Sequence, residues 1–214
     1  MDCSNPRAAL TAVMQDLARA GLNQGAAGNA STRVTTGLLI TPTGVRPFAL
    51  RDEQHVELNL AGEAHATRTL PSSEWRLHRD IYRTYPEVNA VVHVHSPYAT
   101  ALACLRREIP AFHYMVAVGG GASIRCAPYA TFGTQALSDY VLEALVGRHA
   151  CLLANHGLVT LGKNLAAAFE LTLAIEDLAH QYCVALQAGA PVLLTEPEMH
   201  EVLERFKTYG QQPA

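Results

Sequence analysis

Apolar positions recur along this chain with two different periods. From Pro6 to Leu22, Leu10, Val13, Met14, Leu17 and Ala18 fall at helical spacing, after Asn5-Pro6 and before Gly21. Pro71-Ser72-Ser73 opens a second helical pattern carrying Trp75, His78, Ile81, Tyr82 and Tyr85, ended by Pro86. Further helices are predicted from Tyr98 to Arg106, Gly133 to Val146 and Leu165 to Gln187, with a short one in "EPEMHEVLERFKTYG". Between them lie strand-like runs: "TRVTTGLLIT" around Thr36-Gly37, "HVELNLAGEAHAT" turning at Ala61-Gly62, "NAVVHVH", "ACLLANHG" and "LVTLG". "AFHYMVAVGGGASIRCAPY" reads as a strand, a glycine break and a second strand. Several strand pairs are joined by short turns. The expected fold is therefore one α/β domain with a central, mostly antiparallel (mixed) sheet flanked by helices.

Composition narrows the function classes. The chain has 214 residues, 49% of them hydrophobic and 16% charged, with a net charge of −3, which suits one domain with a sizeable core. No basic stripe is present, so neither nucleic acid nor an anionic membrane is an expected partner. No apolar run is long enough to span a bilayer, and "MDCSNPRAAL" has no signal-like apolar stretch. Five scattered cysteines without a CxxC fit reduced thiols and a cytoplasmic location.

The candidate chemistry begins in "AVVHVHSPYAT". Side chains two apart on a strand share a face, so His93 and His95 project together and their rings can meet one point. Taken alone, the pair more often fills a polar sheet face than binds a metal. His156, in "LLANHGLVT", sits at the lip of another apolar strand; alone it reads best as a turn residue. The other histidines, His55 and His78 among them, read as surface or boundary residues. In "LPSSEWRLH", Ser72 is a candidate N-cap with Ser73 and Glu74 in the first turn, which suits either ordinary capping or phosphate binding. "GAAGNAS" and "TPTG" offer small residues and hydroxyls to an anion. The nucleotide-binding glycine patterns are absent.

Together, Gly28-Asn29-Ala30-Ser31, Thr41-Pro42-Thr43-Gly44, Pro71-Ser72-Ser73-Glu74-Trp75, His93-x-His95 and Asn155-His156-Gly157 resemble the class II aldolase/adducin family. The resemblance runs from Gly28 to the terminal "RFKTYG", with "IPAFHYM" and "CAPYATFGT" included. It implies one domain over residues 1–214, with a tail at about 205–214. It implies that His93, His95 and His156 hold a zinc ion, and that Glu74 is the general acid/base and takes a metal position before substrate arrives. Gly28, Asn29, Thr43, Gly44, Ser72 and Ser73 would cradle the phosphate of a sugar phosphate. Tyr114 and Tyr209 would reach the aldehyde end from a neighbouring subunit of a homotetramer, with Phe132 and Phe206 lining that end.

The implied reaction is cleavage of L-fuculose 1-phosphate or a related deoxyketose 1-phosphate to dihydroxyacetone phosphate and an aldehyde, through a metal-stabilised enediolate. Lys163 and Lys207 are the chain's two lysines, and neither lies in a motif, which argues against Schiff-base chemistry. Ser96-Pro97-Tyr98-Ala99-Thr100 is closer to the sugar-phosphate epimerase branch. The segment Ala111 to Arg125, with no Asp or Glu and with Tyr114, favours the aldolases. The alternatives are a 4-epimerase, decarboxylase or dehydratase on the same scaffold, or a non-catalytic adducin-like module.

Overall fold

The sheet organises everything else. In the computed structural model, which describes residues 5–64 and 68–208, seven strands lie in the order β3-β2-β1-β4-β7-β6-β5. They are β1 (Asn29–Val34), β2 (Gly37–Ile40), β3 (Val56–Asn59), β4 (Ala90–Val94), β5 (Cys126–Ala127), β6 (Ala150–Leu153) and β7 (Gly157–Gly162). Every pairing is antiparallel except that of β5 with β6, so the sheet is mixed, as the short turns predicted.

Strand alternation sends successive side chains to opposite faces, and each face carries its own core. Ala30, Leu39, Val92, Leu152 and Leu158 pack under α1 (Pro6–Arg19), α3 (Pro97–Cys104) and α5 (Leu165–Ala188). Leu38, Val91, Cys151, Val159 and Leu161 pack under α2 (Trp75–Thr84) and α4 (Gln135–Ala144). A smaller cluster of Ala111, Ala117 and Met199 seats the last helix, α6 (Glu196–Phe206), whose Thr195 and Glu198 form a capping box. No described helix is long and apolar enough to cross a membrane. Among the described residues, Cys104, Cys126, Cys151 and Cys183 are free thiols.

Two local expectations are corrected. The first half of "AFHYMVAVGGGASIRCAPY" is not a strand but a 3-10 helix, Tyr114–Gly119. His113 Nδ1 accepts from the Met115 amide and starts the coil, and Gly120 ends it at φ 91°. Glu74, not Ser72, occupies the N-cap position of α2, and the Ser72 hydroxyl accepts from the Glu74 amide one turn earlier. The expected turn at Ala61-Gly62 is present, crossed by an antiparallel bridge between Leu58 on β3 and Ala64. His65 lies outside the described residues.

Candidate functional site

The site forms where several loops meet beyond the C-terminal end of β4. His93 is the fourth residue of β4 and is fully buried, while His95 follows the strand end on the same side. His156 comes from the turn between β6 and β7. There Asn155 takes a left-handed backbone (φ 55°), which asparagine tolerates, held by the Arg106 guanidinium on its Oδ1 and by its own amide on the Ala103 carbonyl. A side chain on the next residue, Gly157, would collide with the Val94 carbonyl and crowd the rings of His93 and His95. The sequence Asn-His-Gly thus turns one imidazole inward and clears space for the other two.

The three rings form a triangle, with centroids 4.8 to 4.9 Å apart and edge-to-face tilts. One nitrogen from each lies within 4.8 Å of the others. The Nε2 atoms of His93 and His95 are 3.0 Å apart, near the ~3.3 Å separation that two nitrogens of a tetrahedral zinc site would take. His93 donates its Nδ1–H to the Leu158 carbonyl at 3.0 Å, which fixes the ring and turns Nε2 to the cleft. The Asn23 side-chain oxygen accepts from the His95 backbone amide and anchors the chain at that residue. The donor set of three convergent imidazoles, with the His93 ring held from behind, fits a divalent metal.

Glu74 closes the triangle. Its Oε2 lies 3.1 Å from His93 Nε2 and accepts from the Asn29 amide at 2.9 Å; its Oε1 lies 3.4 Å from His156 Nε2. Oε1 is buried without a hydrogen-bond partner. Burial works to raise the Glu74 pKa, but His93, His156 and Asn29 hold the carboxyl well below the usual range, so it is ionised. Burial also disfavours charge on His93, yet the adjacent carboxylate raises its pKa. His95 and His156 are pushed down to about 4, first by burial and then by the His93 charge. Both therefore present lone pairs at neutral pH.

A cleft of about 310 Å³ opens over this cluster. Gly28, Asn29, Thr43, Gly44, Ser72, Ser73, Glu74, His95 and His156 all line it, so the structure gathers residues from five separate motifs. The two hydroxyl-bearing loops are tied by the bridge between Pro42 and Pro71 and by the Ser72 amide on the Thr41 carbonyl. Gly28 (φ 74°) has no room for a side chain, because a Cβ would overlap the amide of Asn23. Among the described residues, no lysine or arginine lines the cleft. An anion there meets backbone amides, hydroxyls and the start of α2.

Other expected residues lie elsewhere. Tyr114 is half-exposed beside His113 and does not line the cleft of its own chain. Phe132 does line it, at 64% exposed, whereas Phe206 packs with the Met199 cluster. Tyr209 lies outside the described residues. Ser96 and the amides of Tyr98 and Ala99 all bind the Glu176 carboxylate. The "SPYAT" stretch is therefore a capped helix start, and none of it lines the cleft.

Sequence reasoning missed Asn23, Tyr129 and the buried His55 and His78. His78 has no exposed surface and bonds Asn29 and Ser31; His55 bonds Thr11. The readable signal for His78 was its place on the apolar face of α2, four residues after Glu74.

Comparisons with known proteins converge on the same reading. The 5-methylthioribulose-1-phosphate/5-deoxyribulose-1-phosphate aldolase of Rhodospirillum rubrum is 53% identical over 190 residues, covering 89% of this chain and 86% of its own. The L-fuculose phosphate aldolase of Escherichia coli is 48% identical over 196 residues, covering 91% of both chains. A solved L-fuculose 1-phosphate aldolase superposes with a TM-score of 0.92 at 38% identity, covering 97% of this chain and 98% of its own. The sequence profile of the Class II Aldolase and Adducin N-terminal domain matches residues 8–183, and the chain belongs to that family.

Proposed function

We propose that this chain is a zinc-dependent aldolase that cleaves a deoxyketose 1-phosphate to dihydroxyacetone phosphate and an aldehyde. The observation that carries the reading is one cleft where an ionised carboxylate, against two of three clustered imidazoles, faces small and hydroxyl-bearing loops without a cation. Relatives named for L-fuculose phosphate, 5-methylthioribulose 1-phosphate and 5-deoxyribulose 1-phosphate all point to ketose 1-phosphates with a variable far end.

His93, His95 and His156 would hold the metal. When bound, it supplies Lewis-acid stabilisation of negative charge developing on the substrate oxygens. The rest falls to the chain. Gly28, Asn29, Thr43, Gly44, Ser72 and Ser73 grip the phosphate through neutral donors and so fix the position of the adjacent carbon. Glu74 Oε1, which has no hydrogen-bond partner in the cleft, moves the proton at that carbon. Tyr129 and Phe132 rim the opening and meet the aldehyde end. We place Tyr114 and Tyr209 at that end from a neighbouring subunit of a homotetramer. The exposed Tyr114, remote from its own cleft, supports this arrangement. The reading places the enzyme in the cytoplasm.

The test is metal analysis of the purified protein, followed by a panel of L-fuculose, 5-deoxyribulose and 5-methylthioribulose 1-phosphates with dihydroxyacetone phosphate release as readout. Release from at least one, lost on chelation and restored by zinc, is the expected result. Full activity in metal-stripped protein, or silence across the panel, overturns it.

A further inference from the structure

Behind Glu74 a line of buried polar groups runs away from the cleft. Asn29 Nδ2 reaches Glu74 Oε2 at 2.9 Å, and Asn29 Oδ1 lies 2.5 Å from His78 Nε2. His78 Nδ1 lies 2.7 Å from the Ser31 hydroxyl, which is 2.9 Å from the Tyr82 hydroxyl. All five residues are at least nine-tenths buried, and His78 and Ser31 have no exposed surface. Placing four neutral polar side chains in a core costs stability unless each is paired, and here each is.

The line follows from two repeats that match. Glu74, His78 and Tyr82 stand four apart on one face of α2, which advances ~6 Å per four residues. Asn29 and Ser31 stand two apart on β1, which advances ~6.6 Å per two residues. The rungs therefore interleave without strain, from Tyr82 through Ser31, His78 and Asn29 to Glu74.

The chemistry gives the line a single direction. An ionised carboxylate only accepts, so Asn29 must turn its NH2 to Glu74 and its oxygen to His78. His78 must then donate from Nε2. Burial holds His78 neutral, with its pKa lowered to about 3, so its Nδ1 is an acceptor. Ser31 therefore donates to His78 and accepts from Tyr82, whose ring is backed by the Arg33 guanidinium at 4.8 Å. A flipped Asn29 would set oxygen against oxygen at Glu74 and reverse every rung.

We propose that His78, steadied by Ser31 and Tyr82, is a positioning residue for the reaction. It locks Asn29 so that only N–H donors face the carboxylate and the phosphate cradle. It thereby holds Glu74 Oε2 and leaves Oε1 aimed at the substrate carbon. This rests on Glu74 being the proton-transfer group.

Two measurements test it. In metal-free protein, without substrate, 15N spectra of the imidazoles should show His78 protonated at Nε2 and bare at Nδ1 at neutral pH. The other tautomer, or an imidazolium, overturns the line as drawn. In the loaded enzyme, Tyr82→Phe keeps the ring and removes the end of the line. It should lower kcat several-fold, up to about tenfold, with KM, metal content and melting temperature near wild type. His78→Gln, which keeps an N–H donor, should retain more kcat than His78→Leu. An unchanged kcat in Tyr82→Phe, or loss shared equally by kcat, KM and melting temperature, overturns the positioning role. Silence of the wild type across the ketose 1-phosphate panel would instead overturn the aldolase reading, and would leave the tautomer result standing.

Discussion

Both faces of the sheet bury an apolar core, but they treat buried polar groups differently. Under α5 the contact with β4 and β7 is apolar apart from one hydroxyl pair, Thr160 with Thr172 at 2.7 Å, closed on the Ala168 carbonyl. Under α2 the contact with β1 is a line of five polar side chains ending in a carboxylate at the cleft. Apolar packing is non-directional and tolerates small shifts, whereas a hydrogen-bonded line fixes both distance and polarity. Both faces hold the fold together with apolar cores, and in our proposal one of them also aims an atom.

The comparison predicts unequal consequences for changes on the two sides. His95→Ala, at the end of the aimed face, should abolish metal retention and turnover while circular dichroism stays native; activity surviving in metal-free variant would remove the triad from the mechanism. Glu74→Gln keeps the shape and loses the charge, so metal content should persist while kcat falls by about 10²–10⁴. Turnover at the wild-type rate would reassign the proton transfer.

On the opposite face, Ile175→Ala leaves a cavity under α5 and should cost about 2–5 kcal/mol in urea denaturation, with kcat per folded molecule unchanged. A fall in kcat there would dissolve the distinction between the faces. Thr172→Val, the mildest change, should cost about 1 kcal/mol and also spare kcat.

Acid should act through the buried imidazoles. His55, His78, His95 and His156 stay neutral in the fold, with pKa values of about 4, 3, 4 and 4, but take protons near 6.5 once unfolded. Between those values the unfolded chain binds more protons, so stability of the metal-free protein should fall as pH drops from about 6.5 towards 4. Glu74, depressed in the fold, adds to the loss on further acidification, while the raised His93 works the other way. Urea midpoints that stay level across this window would show that these imidazoles are not held neutral.

Much of this was legible in the sequence because it rests on period. The alternation of Val92, His93, Val94 and His95 puts two rings on one side, and the helical spacing from Leu10 to Leu17 marks α1. What escaped depended on partners distant in sequence. "YMVAVGG" has the composition of a strand, but residue type cannot separate a short apolar run in a strand from one in a coil packed under a helix. His78 looks like a boundary residue because a lone imidazole on a helix carries no signal. Only the pairing of Asn29 opposite His93, across β1 and β4, brings its partner into reach. The proposed phosphate cradle lay between, since its loops were readable as small and hydroxyl-rich but their meeting depended on the Pro42–Pro71 bridge.

The matched pitch of α2 and β1 has a consequence for how this protein tolerates change in length. The helix and the strand mesh like a rack and pinion, with three teeth on one and two on the other. Inserting one residue between Glu74 and Tyr82 rotates the rest of the helix by ~100° and disengages the teeth beyond it together. The same insertion after Tyr82 slips past the gear. Spacing within this one segment is therefore held more tightly than the identity of many residues around it.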